Sequence, residues 1–220
     1  MKKSIVSNGL KLTAFALVIT AVIAVTYAVT REQIATQQIN KRLGILNAII
    51  PSSLYDNDIQ HDCVEVIVPD YLGTNETHSI FLARMGNEPT AVAIETTAPD
   101  GYSGKIELIV GINMQSEVLG VRVLNHKETP GLGDKIDIRI SDWITSFTGK
   151  SIDSEKVKEW QVKKDGGQFD QFTGATITPR AVVKSVKNTV LYFQQNKHTL
   201  FSLSQHCDLP NDPPMTGKAE

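Results

Sequence analysis

Three hydroxyl side chains, Thr173, Thr176 and Thr178, surround the dipeptide Gly174-Ala175 in the stretch Asp170-Gln171-Phe172-Thr173-Gly174-Ala175-Thr176-Ile177-Thr178-Pro179. A threonine hydroxyl can donate a hydrogen bond to a phosphate oxygen or be esterified by phosphorus. The stretch also predicts a helix start. Thr178 suits an N-cap, and Pro179 suits the first helical position, where its missing N–H is not needed. Val182, Val183, Val186, Val190 and Phe193 then recur at helical spacing, which predicts a buried amphipathic helix. Unpaired N–H groups and the positive end of the dipole make such a helix start attractive to phosphate. Taken alone, these residues fit two uses: plain capping, or holding and bonding a phosphate.

Two other segments carry side chains of chemical interest. In Asp100-Gly101-Tyr102-Ser103-Gly104 the glycines allow a ligand to approach the backbone, and Tyr102 could lie beside a flat ring. A plain turn is the other reading. In His126-Lys127-Glu128-Thr129-Pro130-Gly131-Leu132-Gly133, a rigid loop carries an imidazole, a carboxylate and a hydroxyl. His126 and Glu128 alternate along the chain and could meet as an acid–base pair. No nucleophile or metal partner accompanies them, so hydrolytic chemistry is set aside. Cys63 and Cys207 lack metal-ligand spacing, which leaves zinc and cysteine-ligated iron–sulfur clusters unsupported. They read equally as a disulfide or as two separate thiols.

The elements that must position these residues read as a mixed α+β domain behind a helical anchor. Val64–Val68 predicts an edge strand ending at Pro69. Ser79–Arg84 and Thr90–Thr96 predict two strands joined by the Gly86-Asn87-Glu88 turn. Ala98-Pro99-Asp100-Gly101 is turn chemistry. Lys105–Ile112 and Glu117–Leu124 predict a second hairpin through Asn113–Ser116. Ile136, Ile140, Trp143, Ile144 and Phe147 recur at steps of about three and four, predicting a helix over 136–147. Ser154–Trp160 is ambiguous. The last helix is expected to fade near Asn196, with the polar, proline-bearing residues 197–220 disordered.

The 220 residues hold 22 basic and 24 acidic side chains, a net charge of −2, with no basic stripe interleaved with aromatics. Nucleic acid is therefore excluded as a partner. Lys2, Lys3 and Lys11 precede Leu12–Thr30, nineteen residues without a charge, which end at Arg31-Glu32. At about 1.5 Å per residue such a helix just crosses a hydrocarbon core of about 30 Å. Its threonines are tolerable because a helical threonine can return its hydroxyl to the backbone. A cleaved signal peptide would have a shorter apolar run and a small-x-small cleavage site; Thr26-Tyr27-Ala28 is a poor one. The expectation is residues 1–11 in the cytoplasm, a span over 12–30, a helical stalk over 31–50 stopped by Pro51, and a domain over 51–196 outside the cytoplasm. The span holds no charged side chain, so it offers no ion path.

Asp170, Thr173, Gly174, Ala175 and Thr176 together resemble the flavinylation motif of the FMN-binding domain family. That family carries FMN through a phosphoester on the last threonine, delivered from FAD by a flavin transferase. The resemblance implies that Thr176 bears covalent FMN and that Asp170 is read by the transferase, with Thr173 and Thr178 as hydroxyl neighbours. Nearly the whole chain resembles the G subunits of Rnf (Rsx) ion-translocating electron transport complexes. The likeness runs through Thr97–Gly104, His126–Lys135 and Lys163–Arg180. It implies further FMN contacts at Gly174, Ala175, Tyr102, Ser103, Glu128, Thr129, Gly131 and Leu132. It also implies one-electron traffic coupled to Na⁺ or H⁺ movement by other membrane subunits, in a bacterial inner membrane with the domain periplasmic. No catalytic base or metal ligand is expected, and the chain alone should be inactive. A stand-alone membrane-anchored flavodomain of another respiratory chain is the alternative.

Overall fold

The computed structural model describes residues 2–153 and 157–203. The tail expected to be disordered therefore falls, from Ser204 on, outside the described residues, as does part of the ambiguous Ser154–Trp160 segment. The chain divides into two compact units, with the boundary between Arg42 and Leu43.

The first unit is helical. Helix α1 runs from Lys2 to Ile49, and its stretch Ile5–Arg31, 27 residues, is long and apolar enough to cross a membrane. The Thr13 hydroxyl donates to the Gly9 carbonyl (3.0 Å), Thr26 to Val22 (2.8 Å) and Thr30 to Thr26 (2.9 Å). Each threonine thus hides its polar atom in the backbone, as expected of a helix facing lipid.

In the second unit five antiparallel strands form one meander, in the order β1 (Cys63–Val66), β2 (His78–Met85), β3 (Glu88–Ala98), β4 (Ile106–Asn113) and β5 (Val118–Asn125). Both expected hairpins are present. The strands alternate their side chains between two cores, because successive residues point to opposite faces. On one face Ile80, Leu82, Val92, Ile94, Leu108, Val110 and Ile112 pack against the long helix α3 (Ile177–Leu200) and the aromatics of the 143–172 region. A single-turn helix, α2 (Pro69–Leu72), lies between β1 and β2. On the other face, Phe81, Ala83, Ala91, Ala93 and Ile109 meet Leu46 and Ile49 at the end of α1 and Ile50 just after it. Small residues make room there: a Cβ on Gly111 would sit 2.9 Å from the Ile49 carbonyl oxygen, and one on Gly120 would sit 3.1 Å from the Ile49 Cα. Cys63, on β1, is disulfide-bonded; Cys207, the other cysteine of the sequence, lies outside the described residues.

Two helix expectations are corrected. Residues 136–147 do not form one helix. They form two short 3₁₀ helices, Gly133–Ile136 and Trp143–Phe147, with an ordered turn between. The buried Ile136, Trp143, Ile144 and Phe147 still face the core. Helix α3 does not fade at Asn196 but continues to Leu200, which is itself buried. Its valines 182, 183, 186 and 190 and Phe193 are essentially inaccessible. At about 2 kcal/mol per buried side chain they supply roughly 10 kcal/mol of burial that holds the helix on the sheet.

Candidate functional site

The β3–β4 turn, the exit of β5 and the start of α3 lie at one end of the sheet, since Glu107 near the start of β4 pairs with Asn125 at the end of β5. A cavity of about 300 Å³ opens there, lined by Tyr102, Glu128, Thr129, Leu132, Gly133, Gly174, Ala175, Thr176, Ile177 and Thr178. That volume lies at the small end of ligand sites, which run from roughly 300 to 1,000 Å³.

The floor is organised by Glu128, only 4% exposed. One carboxylate oxygen accepts from the backbone N–H of Ser103 (3.0 Å), and the other accepts from the Thr178 hydroxyl. A single side chain thereby ties together the 101–104 turn, the 126–133 loop and the first turn of α3. A carboxylate at this position also complements the positive end of the helix dipole. The approach requires a glycine: a Cβ on Gly133 would lie 2.7 Å from the Glu128 carboxylate and 2.9 Å from the Thr178 hydroxyl.

His126 does not pair with the Glu128 carboxylate. Its Nδ1 accepts from the backbone N–H of Glu128 (3.2 Å), and its Nε2 lies 3.8 Å from Asp137. The two side chains face different partners, which removes the geometry an acid–base pair would need. Asp137 is gripped by Arg139 through the guanidinium and the backbone N–H, and these bonds hold its carboxyl below the usual carboxylate range.

The lip is the motif loop. The Trp143 indole N–H donates to the Asp170 carbonyl (2.8 Å), and its ring meets Phe172 edge-on at 5.1 Å. From this anchor the chain turns through Thr173-Gly174, closed by the Ala175 N–H on the Phe172 carbonyl (3.2 Å). Gly174 has φ +83°, as the third position of a type II turn demands. Helix α3 then begins at Ile177 with Thr176 as its N-cap residue.

This corrects the expected roles of the hydroxyls. Thr178 is not the cap; it is buried inside the first helical turn and bonded to Glu128, and Pro179 follows it there rather than opening the helix. Thr176 holds the cap position, but its side chain makes no capping hydrogen bond. It is half-buried on the cavity wall.

Of the residues singled out from sequence, the cavity gathers Tyr102, Glu128, Thr129, Leu132, Gly174, Ala175, Thr176 and Thr178. Thr173, Asp170, Ser103 and Gly131 are exposed and outside its lining, although Ser103 joins through its backbone. The Asp170 carboxylate instead pairs with Lys163 (2.6 Å) in solvent. Gly133 and Ile177 line the cavity without having been picked out as ligand contacts. Both are adjacent in sequence to residues that were, and that adjacency is the signal that could have found them.

The model of the FMN-binding domain family matches residues 101–191, and that of the RnfG N-terminal region matches residues 1–49. Among curated proteins, the chain is 55% identical to the G subunit of an ion-translocating oxidoreductase complex from Pseudoalteromonas atlantica, over 94% of this chain and 96% of that one. The proteins of the same description from Shewanella oneidensis and Vibrio atlanticus are 50% and 49% identical, over 96% and 94% of this chain and 100% and 99% of theirs.

Proposed function

The chain belongs to the family of G subunits of ion-translocating oxidoreductase complexes, and from that premise we propose that it carries electrons on an FMN covalently bound through its phosphate to Thr176. The coarser role is that of an FMN-binding redox subunit of a membrane complex.

The observation that carries the attachment site is the inequality of the three hydroxyls. Thr173 is outside the cavity lining, and Thr178 is occupied by Glu128. Thr176 alone of the three combines a place on the cavity wall with a hydroxyl free of capping bonds. It stands at the start of a 24-residue helix, where the dipole favours a negative group. The first-turn N–H groups of Ile177 and Thr178 offer donors to a phosphate there, and Leu132, Ala175, Ile177 and Tyr102 supply apolar and aromatic surface for a flat ring. The residues present thus fit FMN. When bound, FMN supplies the electron-carrying chemistry; the chain binds it, orients it and limits water at the floor.

Transfer from FAD by a flavin transferase would form the bond from Thr176 Oγ to the FMN phosphorus, break the pyrophosphate and release AMP. The exposed Asp170 carboxylate is the group this reading offers to the transferase. Glu128 acts indirectly, as the tie that sets the helix start against the two loops. Orientation with the N-terminus in the cytoplasm and the domain on the periplasmic side of the inner membrane completes the proposal, supported by Lys2, Lys3 and Lys11 before the span.

Intact mass of wild type and Thr176→Ala, each co-expressed with a flavin transferase, tests the attachment. The wild type should gain FMN and fluoresce on a denaturing gel, and Thr176→Ala should do neither. A Thr176→Ala protein that keeps covalent FMN would refute the assignment.

A further inference from the structure

Among the residues that line the cavity, Glu128 is the only one with a carboxylate, and no lysine, arginine or histidine joins it. The others bring phenol, hydroxyl, aliphatic or backbone surface. Glu128 is buried and takes its two hydrogen bonds from neutral donors, the Ser103 N–H and the Thr178 hydroxyl. Among the described residues, no cation forms an ion pair with it.

Basic side chains on the neighbouring segments are committed elsewhere. Lys184 pairs with Asp100, Arg180 with Asp165 and Lys163 with Asp170, each at 2.6 Å, and Arg139 pairs with Asp137. His126 turns its Nε2 toward Asp137 and gives its Nδ1 to the Glu128 backbone N–H, not to the carboxylate. The cavity therefore carries one acidic side chain and no side-chain cation to answer it.

The two hydrogen bonds do not by themselves require a charge. The amide oxygen of a glutamine could accept from Ser103, and its NH₂ could donate to Thr178. A buried carboxylate without a cation is a costly way to tie three segments together, which points to a use for the charge itself. The positive end of α3 offsets that charge only in part, being equivalent to about half a unit charge. A phosphate on Thr176 would draw on the same helix end.

We propose that the Glu128 carboxylate sets the reduction potential of the site, holding bound FMN at a lower potential than a neutral side chain in its place would. The proposal rests on the flavin reading above. Reduction of the flavin ring adds two electrons, from the redox partner in the complex, and one proton, from solvent, and leaves the ring negative. A fixed carboxylate in the same water-poor cavity opposes that added charge, as charged groups near a cofactor tune its electronics. The phosphate is common to wild type and variants, so it does not enter the comparison.

The test uses the full chain, loaded with FMN by co-expression with a flavin transferase and kept in detergent. Redox titration followed by flavin absorbance compares wild type with Glu128→Gln, Gly133→Ala and Glu88→Gln. Glu128→Gln should favour the reduced form by at least about tenfold, a rise of about 30 mV for a two-electron couple. Gly133→Ala crowds the same floor without removing a charge and should move the potential far less. Glu88→Gln removes an exposed carboxylate at the start of β3, the opposite end of the sheet from the cavity, and should leave the potential at the wild-type value. In the wild type, the reduced-minus-oxidised infrared difference spectrum should contain a carboxylate band that moves on carbon-13 labelling of glutamate. Glu128 is the only glutamate in the lining, so absence of that band would overturn the proposal even if Glu128→Gln took up no flavin. A Glu128→Gln potential at or below wild type would also overturn it, as would an equal rise in Gly133→Ala or Glu88→Gln. Wild-type protein without covalent flavin would refute the redox reading and this proposal together, whereas flavin present at an unmoved potential would refute this proposal alone.

Discussion

The floor and the lip of the cavity are made from adjacent residues and follow opposite rules. On the floor, the buried Glu128 carboxylate takes hydrogen bonds from the buried Thr178 hydroxyl and from the Ser103 N–H, so its two oxygens are both satisfied. On the lip, Thr176 leaves its hydroxyl uncommitted at a helix cap, and Tyr102 and Ile177 stand exposed. Two residues along one helix start thus separate the roles. A buried polar group without a partner costs about 1–3 kcal/mol, so the floor must be complete. A half-exposed hydroxyl costs little to leave unpaired because water can serve it. Reactivity can be kept only where solvent, or a cofactor, supplies the missing partner.

The largest expected effect divides the lip. Thr176→Ala should abolish covalent flavin while changing unfolding free energy by no more than about 1 kcal/mol, since no native capping bond is lost. Thr176→Ser, which keeps the hydroxyl, should restore the fluorescent band. Thr173→Ala should keep it throughout, because that side chain is outside the cavity lining. Loss of the band in Thr173→Ala alone would overturn the division.

The floor should answer in the opposite way. Glu128→Ala strands the Ser103 N–H and the Thr178 hydroxyl together, and a destabilisation of about 3 kcal/mol is expected in urea unfolding. Glu128→Gln should cost less, about 1 kcal/mol, because its amide oxygen can still accept from Ser103 and its NH₂ can still donate to Thr178. Equal losses for the two variants would mean that packing, not the hydrogen bonds, holds the floor. Gly133→Ala comes next. Its methyl group must displace either the Glu128 carboxylate or the Thr178 hydroxyl, at about 1–3 kcal/mol, with flavin loading reduced rather than abolished. Wild-type stability in Gly133→Ala would show that the floor can shift without cost.

How far the sequence could be read follows the same division between local and distant causes. The five strands were legible because alternation and the turns at Gly86-Asn87 and Asn113–Ser116 are local signals, and so was α3 with its valine stripe. Residues 136–147 misled because their apolar spacing suits a helix while their side chains do not. Asp137 captures the Arg139 N–H, and the Ser141 hydroxyl accepts from the Trp143 N–H. These local bonds compete with helical ones and break the run into two short turns. Thr178 misled for the opposite reason: nothing nearby marks it as buried, and its partner Glu128 lies fifty residues upstream. At the site, Thr176 was singled out only through the motif; its uncommitted hydroxyl is a property of the folded chain.

The smallest effect lies outside the cavity lining, in the turn that holds Ile138 and Ile140 between Gly133 of the floor and Trp143, which anchors the lip. Its hydrogen bonds converge on Asp137, whose carboxyl is held below the ordinary range chiefly by the Arg139 guanidinium, with the Arg139 N–H adding to this. A carboxyl with a depressed folded value contributes stability that is complete above its unfolded value of about 3.9 and lost as pH falls through the folded one. Arg139 is mostly solvent-exposed, so screening keeps the contribution small. Hydrogen exchange at the Ile140 and Ser141 amides should therefore be constant from pH 7 down to about 4, once corrected for intrinsic rates, and should lose protection below that. The Gly133 amide on the floor, bonded to the Thr129 carbonyl (3.1 Å), should keep its protection through the same window if the two regions are independent. In Asp137→Asn the turn should already be looser at pH 7, and acid should change it little further. If Gly133 and Ile140 lose protection together in the wild type, the floor and the turn that leads from it toward Trp143 open as one unit, and the floor is no more rigid than its surroundings.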